Sequence, residues 1–129
     1  FSADNFIWID FGIYHVFRDK ERLYKALDNA VLKKYNKVRI ASCINPEDFE
    51  ITDNIYHTIT WCFTGGVFGG NVESLNTFAD AVKKKCLEIV GSRKQLMWEV
   101  NIWLLVYSIH ADIFSLYRSF HDPSIIAEY

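Results

Sequence analysis

The chain has no dense basic stretch, no even set of closely spaced cysteines and no uninterrupted apolar run of membrane-spanning length. Each absence removes a class of function. Lys and Arg number 14 against 16 Asp and Glu, a net charge of −2. The longest basic cluster, Lys83-Lys84-Lys85, falls on the polar side of an expected helix, so nucleic acid is not an expected partner. Cys43, Cys62 and Cys86 are odd in number and far apart. Reduced, buried thiols are therefore expected rather than a disulfide framework or a metal cluster. The most apolar stretch, residues 96–109, is interrupted by Glu99 and Asn101. It falls short of the roughly 20 residues needed to cross a bilayer, and a core helix is expected instead of a membrane span. The first residues carry an acid, no basic region and no initial Met. A signal peptide is not expected; a start partway through a longer protein is, and a cytoplasmic location follows from the scattered thiols and the missing signal.

What is present favours a packed domain. At 129 residues the chain makes one domain at most. Half of it is hydrophobic and 16% is aromatic, enough to build a core and too apolar for disorder.

Strand and helix patterns alternate, which predicts an α/β layered sheet with flanking helices. Phe6-Ile7-Trp8-Ile9 reads as a strand buried on both faces and ending at Asp10. Asp19 is an N-cap for a helix over residues 20–35 with Leu23, Leu27 and Val31 facing inward. Val38-Arg39-Ile40-Ala41-Ser42 predicts a second strand ended by Asn45-Pro46, with an acidic loop or turn over 47–54. Residues 59–63 predict a third strand that runs into a glycine turn. Asn71 then caps a helix with Val72, Leu75, Phe78, Ala79, Val82, Cys86, Ile89 and Val90 at three-four spacing, and Gly91 supplies its stop. Residues 97–109 predict a core helix, and 113–117 a last strand.

The segment Thr64-Gly65-Gly66-Val67-Phe68-Gly69-Gly70-Asn71 holds four of the chain's six glycines. Glycine at that density marks a backbone that bends sharply or admits a close neighbour, including a ligand. Asp10 closes a strand, where α/β sheets bind ligands and where a carboxylate can hold Mg or Mn; it serves equally as a cap for the turn that follows. His15 lies near enough in sequence to join such a site. Glu99, between Trp98 and Val100, is read as lining a cleft as general base or acceptor of sugar hydroxyls, as paired with a cation such as Arg39 or Lys94, or as an exposed first-turn acid favoured by the helix dipole. Trp8 and Trp61 fall in strands and are expected in the core, whereas Trp98 is kept as a ring that could stack on a sugar. Asp10-Phe11-Gly12 spells the metal-binding triplet of protein kinases, but no kinase catalytic loop or phosphate loop accompanies it. The glycines fit neither G-x-G-x-x-G nor a P-loop.

Three blocks together resemble the HtrL/YibB-type glycosyltransferase-like family. They are Phe6-Ile7-Trp8-Ile9-Asp10-Phe11-Gly12-Ile13, the segment from Thr64 to Gly70, and Met97-Trp98-Glu99-Val100-Asn101-Ile102-Trp103. Their order and separation fit as well. More distantly the layout is similar to retaining glycosyltransferases of the GT-A fold. That resemblance implies a GT-A-like domain, or the later part of one, transferring a hexose-like sugar from a nucleotide-sugar donor to a hydroxyl acceptor. It implies Asp10 on a divalent cation (Mn or Mg), with Gly65, Gly66, Gly69 and Gly70 shaping the sugar pocket. Glu99, beside Trp98, would lie near the reacting carbon. In those enzymes the metal motif carries two aspartates; here Asp10 stands without the second. A non-catalytic binding module on the same scaffold is the alternative, and a purely structural role for the glycines a third. The donor, the acceptor, the stereochemical outcome and the oligomeric state are not set by the residues.

Overall fold

The computed structural model describes residues 3–129. Four strands form one mixed sheet: β1 (Asn5–Ile9), β2 (Val38–Ser42), β3 (Phe63–Asn71) and β4 (Phe114–Arg118), in the spatial order β1-β3-β2-β4. β3 runs antiparallel to both β1 and β2, and β2 pairs in parallel with β4. The C-terminal ends of β1, β2 and β4 therefore meet the start of β3 at one end of the sheet. That end is where open α/β sheets present ligand sites.

Helices cover both faces. α2 (Val72–Arg93) and α3 (Glu99–His110) pack on one face, where Val38, Ile40 and Phe63 of the sheet meet Phe78, Ile89, Trp103, Leu104 and Val106. α1 (Lys20–Leu32) and the short α4 (Ser124–Ala127) cover the other, where Ala41 and Val67 meet Leu23, Ala26, Ala30, Ile125 and Ile126. The mixed α/β layering matches the expectation. The strict alternation along β2, with Val38 and Ile40 on one side and Ala41 on the other, is what a helix-covered strand demands.

Several boundaries differ from the expected ones, each for a physical reason. β1 is an edge strand rather than a central one, with Phe6 and Trp8 about half exposed. An unbroken apolar run had pointed to burial on both faces, but only the Ile7 and Ile9 side packs into the core. Asp19 caps α1 as expected, accepting from the amides of Glu21 and Arg22. The buried stripe, however, is Leu23, Ala26 and Ala30; Val31 faces solvent. Small residues let α1 pack close against α4.

The glycines do not make a turn after a strand; they are the strand. β3 begins at Phe63 and runs through all four to Asn71, which caps α2 by accepting from Ser74. Gly65 alone takes a left-handed backbone, φ +72°. Gly66 and Gly69 are needed for close approach: a Cβ on Gly66 would stand 2.5 Å from Ile125 and 2.8 Å from Ile13, and one on Gly69 would run into the Tyr129 hydroxyl and 2.5 Å from the Phe6 carbonyl. Gly91 lies inside α2, and Lys94 at φ 55° ends that helix in its place. A residue in the left-handed region closes helices whether or not it is glycine. No helix among the described residues is long and apolar enough to cross a membrane.

Candidate functional site

Asp10 follows the last residue of β1, and its amide donates to the carbonyl of Gly66 at 2.9 Å. Its side chain caps the 3-10 turn over Phe11–Val16, with Oδ1 accepting from the Gly12 amide at 2.9 Å. Both readings of Asp10 thus begin from one geometry: one carboxylate oxygen fixes the turn, and the residue is exposed at the end of the sheet where β1, β2 and β4 finish.

Next along β3, Gly65 faces the start of α3. A Cβ there would lie 3.1 Å from Val100 Cγ1 and 3.9 Å from Glu99 Oε1. Glu99 opens α3 and is exposed, which is the first-turn placement among the three readings of this acid. The first helical turn is where an acid is favoured by the free amides and the helix dipole. Arg39 does not pair with it; that guanidinium donates to the Leu116 and Glu128 carbonyls instead. With Leu96, Met97 and Trp98, Glu99 lines a shallow, open depression of about 300 Å³. Trp98 is 47% exposed there, which leaves an aromatic face beside the carboxylate.

The local register explains why the two glycines sit where they do. Ile40 of β2 pairs with Phe68 of β3, but Ser42 pairs with Phe63. Two steps along one strand meet five along the other, so residues 64–67 bow away from β2 while Val67 still pairs with Ile9. A bulge beside a ligand end re-aims the backbone, and the positive φ of Gly65 makes this one possible. At this end of the sheet stand Asp10, Gly65, Gly66, Trp98 and Glu99, with Gly65 turned toward Glu99 and Val100 on the α3 side and Gly66 toward Ile13 and Ile125 on the α1–α4 side. Gly69 and Gly70 are not among them. They lie toward the opposite end, against Phe6, Tyr129, Lys37 and Ser74, and serve packing.

Histidine enters this end of the sheet by a route the sequence did not suggest. His15 Nε2 meets His121 Nε2 at 2.8 Å, and His15 Nδ1 pairs with the Gly12 carbonyl. A carbonyl only accepts, so the His15 proton is on Nδ1, and in the neutral pair Nε2 accepts from His121. This contact fastens the turn after β1 to the segment after β4. The position of His121 just beyond a strand end is the signal that would have found it. Among the described residues, no group of three or more His, Cys, Asp or Glu is arranged to hold a metal ion.

The tryptophans also sort differently from expectation. Trp8 stacks on Phe68 with ring centres 5.3 Å apart and is half exposed on the edge strand. Trp61 is 52% exposed and precedes β3 rather than lying within it. All three cysteines are free, but only Cys62 is buried as expected; Cys43 and Cys86 are half-buried. Burial pushes Cys62 up to about 11 and raises Cys43. No protein-family model, curated protein or solved structure matches this chain.

Proposed function

We propose that this chain is a glycosyltransferase-like domain of the GT-A type that moves a sugar from a nucleotide-sugar donor to a hydroxyl acceptor. The supporting observation is that two carboxylates from distant parts of the chain, Asp10 and Glu99, are linked through adjacent glycines of one bulged strand. Asp10 hydrogen-bonds Gly66, and Glu99 lies beside Gly65. The opening lined by Leu96, Met97, Trp98 and Glu99 offers a sugar ring a half-exposed aromatic face beside a carboxylate.

In the transfer, the anomeric carbon exchanges its bond to a diphosphate oxygen for one to the acceptor oxygen, and the acceptor's proton leaves for a base or the diphosphate. Positive charge develops on the sugar as the old bond breaks. In this reading Glu99 stabilises that charge and accepts from sugar hydroxyls. The capping bond to Gly12 uses Oδ1 of Asp10, and its other oxygen remains for a cation shared with the diphosphate. Magnesium is commonly held in this way, by one or two carboxylates plus substrate phosphates. When bound, such a cation offsets charge on the leaving diphosphate.

A second reading, a binding module without chemistry, is favoured by the solitary state of Asp10. The two separate on variants. Asp10→Ala and Glu99→Gln should each abolish turnover or hydrolysis of a sugar nucleotide while thermal unfolding stays cooperative. Retained activity in both variants rejects these roles.

A further inference from the structure

A second cavity, of about 360 Å³, is lined by Cys43, Trp61, Thr64 and His121. Its lining shares no residue with that of the Glu99 depression. Trp61 stands at φ 50°, a left-handed conformation that bulky side chains rarely adopt. Both neighbours hold it there. The Thr60 amide and hydroxyl each donate to Asn101 Oδ1 at 2.9 Å, and the Cys62 carbonyl accepts from the Cys43 amide at 2.9 Å and from Ser42 Oγ at 3.2 Å. The strained residue nevertheless leaves its ring half exposed, so core packing does not account for the strain. Backbone strain imposed by the surroundings tends to gather where a side chain's aim matters.

Thr64 supplies the independent observation. It is only 7% exposed, and its hydroxyl has no hydrogen-bond partner. Buried hydroxyls are nearly always satisfied, and this one belongs to a residue that lines the cavity, at the start of the bulge in β3. The oxygen itself is shielded from solvent, so a ligand hydroxyl would complete it after a χ1 rotation that exchanges Oγ1 with the methyl group.

The rest of the lining narrows the chemistry. Burial keeps the Cys43 thiol protonated, and His121 is engaged with His15. No lining residue is a carboxylate, Lys or Arg. The cavity therefore offers an aromatic face, apolar walls and, once Thr64 turns about χ1, one unused hydroxyl. A phosphate finds no Lys or Arg in that lining; Arg118, which acts on Cys43, lines the adjoining hollow instead. A nucleobase could stack, but its edge presents several donors and acceptors in one plane, more than one hydroxyl can satisfy. A neutral pyranose, with one apolar face and a rim of hydroxyls, matches.

We propose that this cavity binds a neutral pyranose ring, with the ring's apolar face on Trp61 and one of its hydroxyls on Thr64, as the seat of the acceptor sugar. The acceptor role rests on the transfer reading above; ring binding does not.

The test follows the Trp61 indole N–H by NMR while methyl glycosides of glucose, galactose, mannose and N-acetylglucosamine are added at millimolar concentrations, with uridine as a parallel probe. At least one glycoside is expected to shift that signal saturably. Thr64→Val, which keeps the shape and removes the hydroxyl, should weaken binding roughly five- to tenfold, the loss expected for one hydrogen bond. Trp61→Ala should abolish it. The proposal is overturned if no glycoside moves the signal, if uridine alone does so, or if Thr64→Val binds as tightly as the parent. Asp10→Ala and Glu99→Gln should still bind the glycoside. If those two variants retain turnover while ring binding needs Trp61 and Thr64, the transfer reading fails and the cavity stands; the reverse pattern removes the cavity alone.

Discussion

The Asp10 amide donates to the Gly66 carbonyl at 2.9 Å, and this single bond brings the end of β1 to the bulge of β3. It continues the β1–β3 ladder one step past Ile9 and Val67. The acid at the strand's end is thus placed by backbone pairing rather than by its own side chain. Removing the Asp10 carboxylate should leave that pairing intact while losing the cap on Gly12, worth about 0.5–2 kcal/mol, so the stability of Asp10→Ala is measured beside its activity.

The glycines should divide sharply on substitution. Gly66→Ala meets Ile125 at 2.5 Å and Ile13 at 2.8 Å, an overpacking cost of about 1–3 kcal/mol. Gly65→Ala adds a side chain at φ +72° and 3.1 Å from Val100, costing about 1–2 kcal/mol. Gly91→Ala meets nothing within 4 Å inside a regular helix and should stabilise by up to about 1 kcal/mol. Urea unfolding of the three variants checks the order; a destabilised Gly91→Ala would contradict it.

Asn101 is the buried polar anchor behind Trp61. It is fully buried and uses both ends of its amide: Oδ1 accepts from Thr60, and Nδ2 donates to the Ile55 and Thr58 carbonyls at 2.7 Å each. Asn101→Leu keeps the size but strands those backbone groups. Destabilisation of about 2–4 kcal/mol is expected, with the Trp61 signal shifted. A change below about 0.5 kcal/mol, within the range of ordinary surface substitutions, would mean that the segment over residues 55–60 is held by other contacts.

How far the sequence could be read follows from the same residues. Period-two alternation located β2, and the Asp19 and Asn71 caps located the starts of α1 and α2, because each signal is local and confined to a few side chains. The bulge in β3 was not legible as such. Glycine density shows that backbone must approach something, but whether a turn or a strand results depends on Ile13, Ile125 and Tyr129, which lie far away in the chain. Trp61 was misplaced for a similar reason: a tryptophan in an apolar run looks like core until its backbone angle is known. Glu99 beside Trp98 was visible as a pair, whereas its proximity to Gly65 is a product of tertiary packing.

Alkaline pH should weaken the fold through its buried phenols. Burial pushes Tyr129 up to about 12 and raises Tyr117 further, against about 10 for a phenol in the open chain. The folded state then holds protons that the unfolded state has released, so stability falls as pH rises. The contribution is intact below about pH 10 and is lost progressively up to about 12, roughly 2–3 kcal/mol for Tyr129. Urea midpoints measured from pH 9 upward should drop, and drop less in Tyr129→Phe. A flat profile would contradict the burial of the ring.

Thiol reactivity offers a further check at ordinary pH. Cys62 is fully buried, with its thiol pushed up to about 11 by burial, and thiolate is the reactive form. With a disulfide reagent at pH 8, Cys62 should stay unmodified in the folded protein, and all three cysteines should react once it is unfolded. Fast labelling of Cys62 under native conditions would be inconsistent with its place under the start of β3.

The most direct measurement of the central claim is the thermal midpoint with UDP-, GDP- and dTDP-sugars, each with and without Mn, for the parent protein and Asp10→Ala. A ligand that binds only the folded state raises the midpoint. The account predicts a rise for at least one sugar nucleotide that needs the cation and is lost in Asp10→Ala. No rise with any donor, or the same rise in Asp10→Ala, would contradict it.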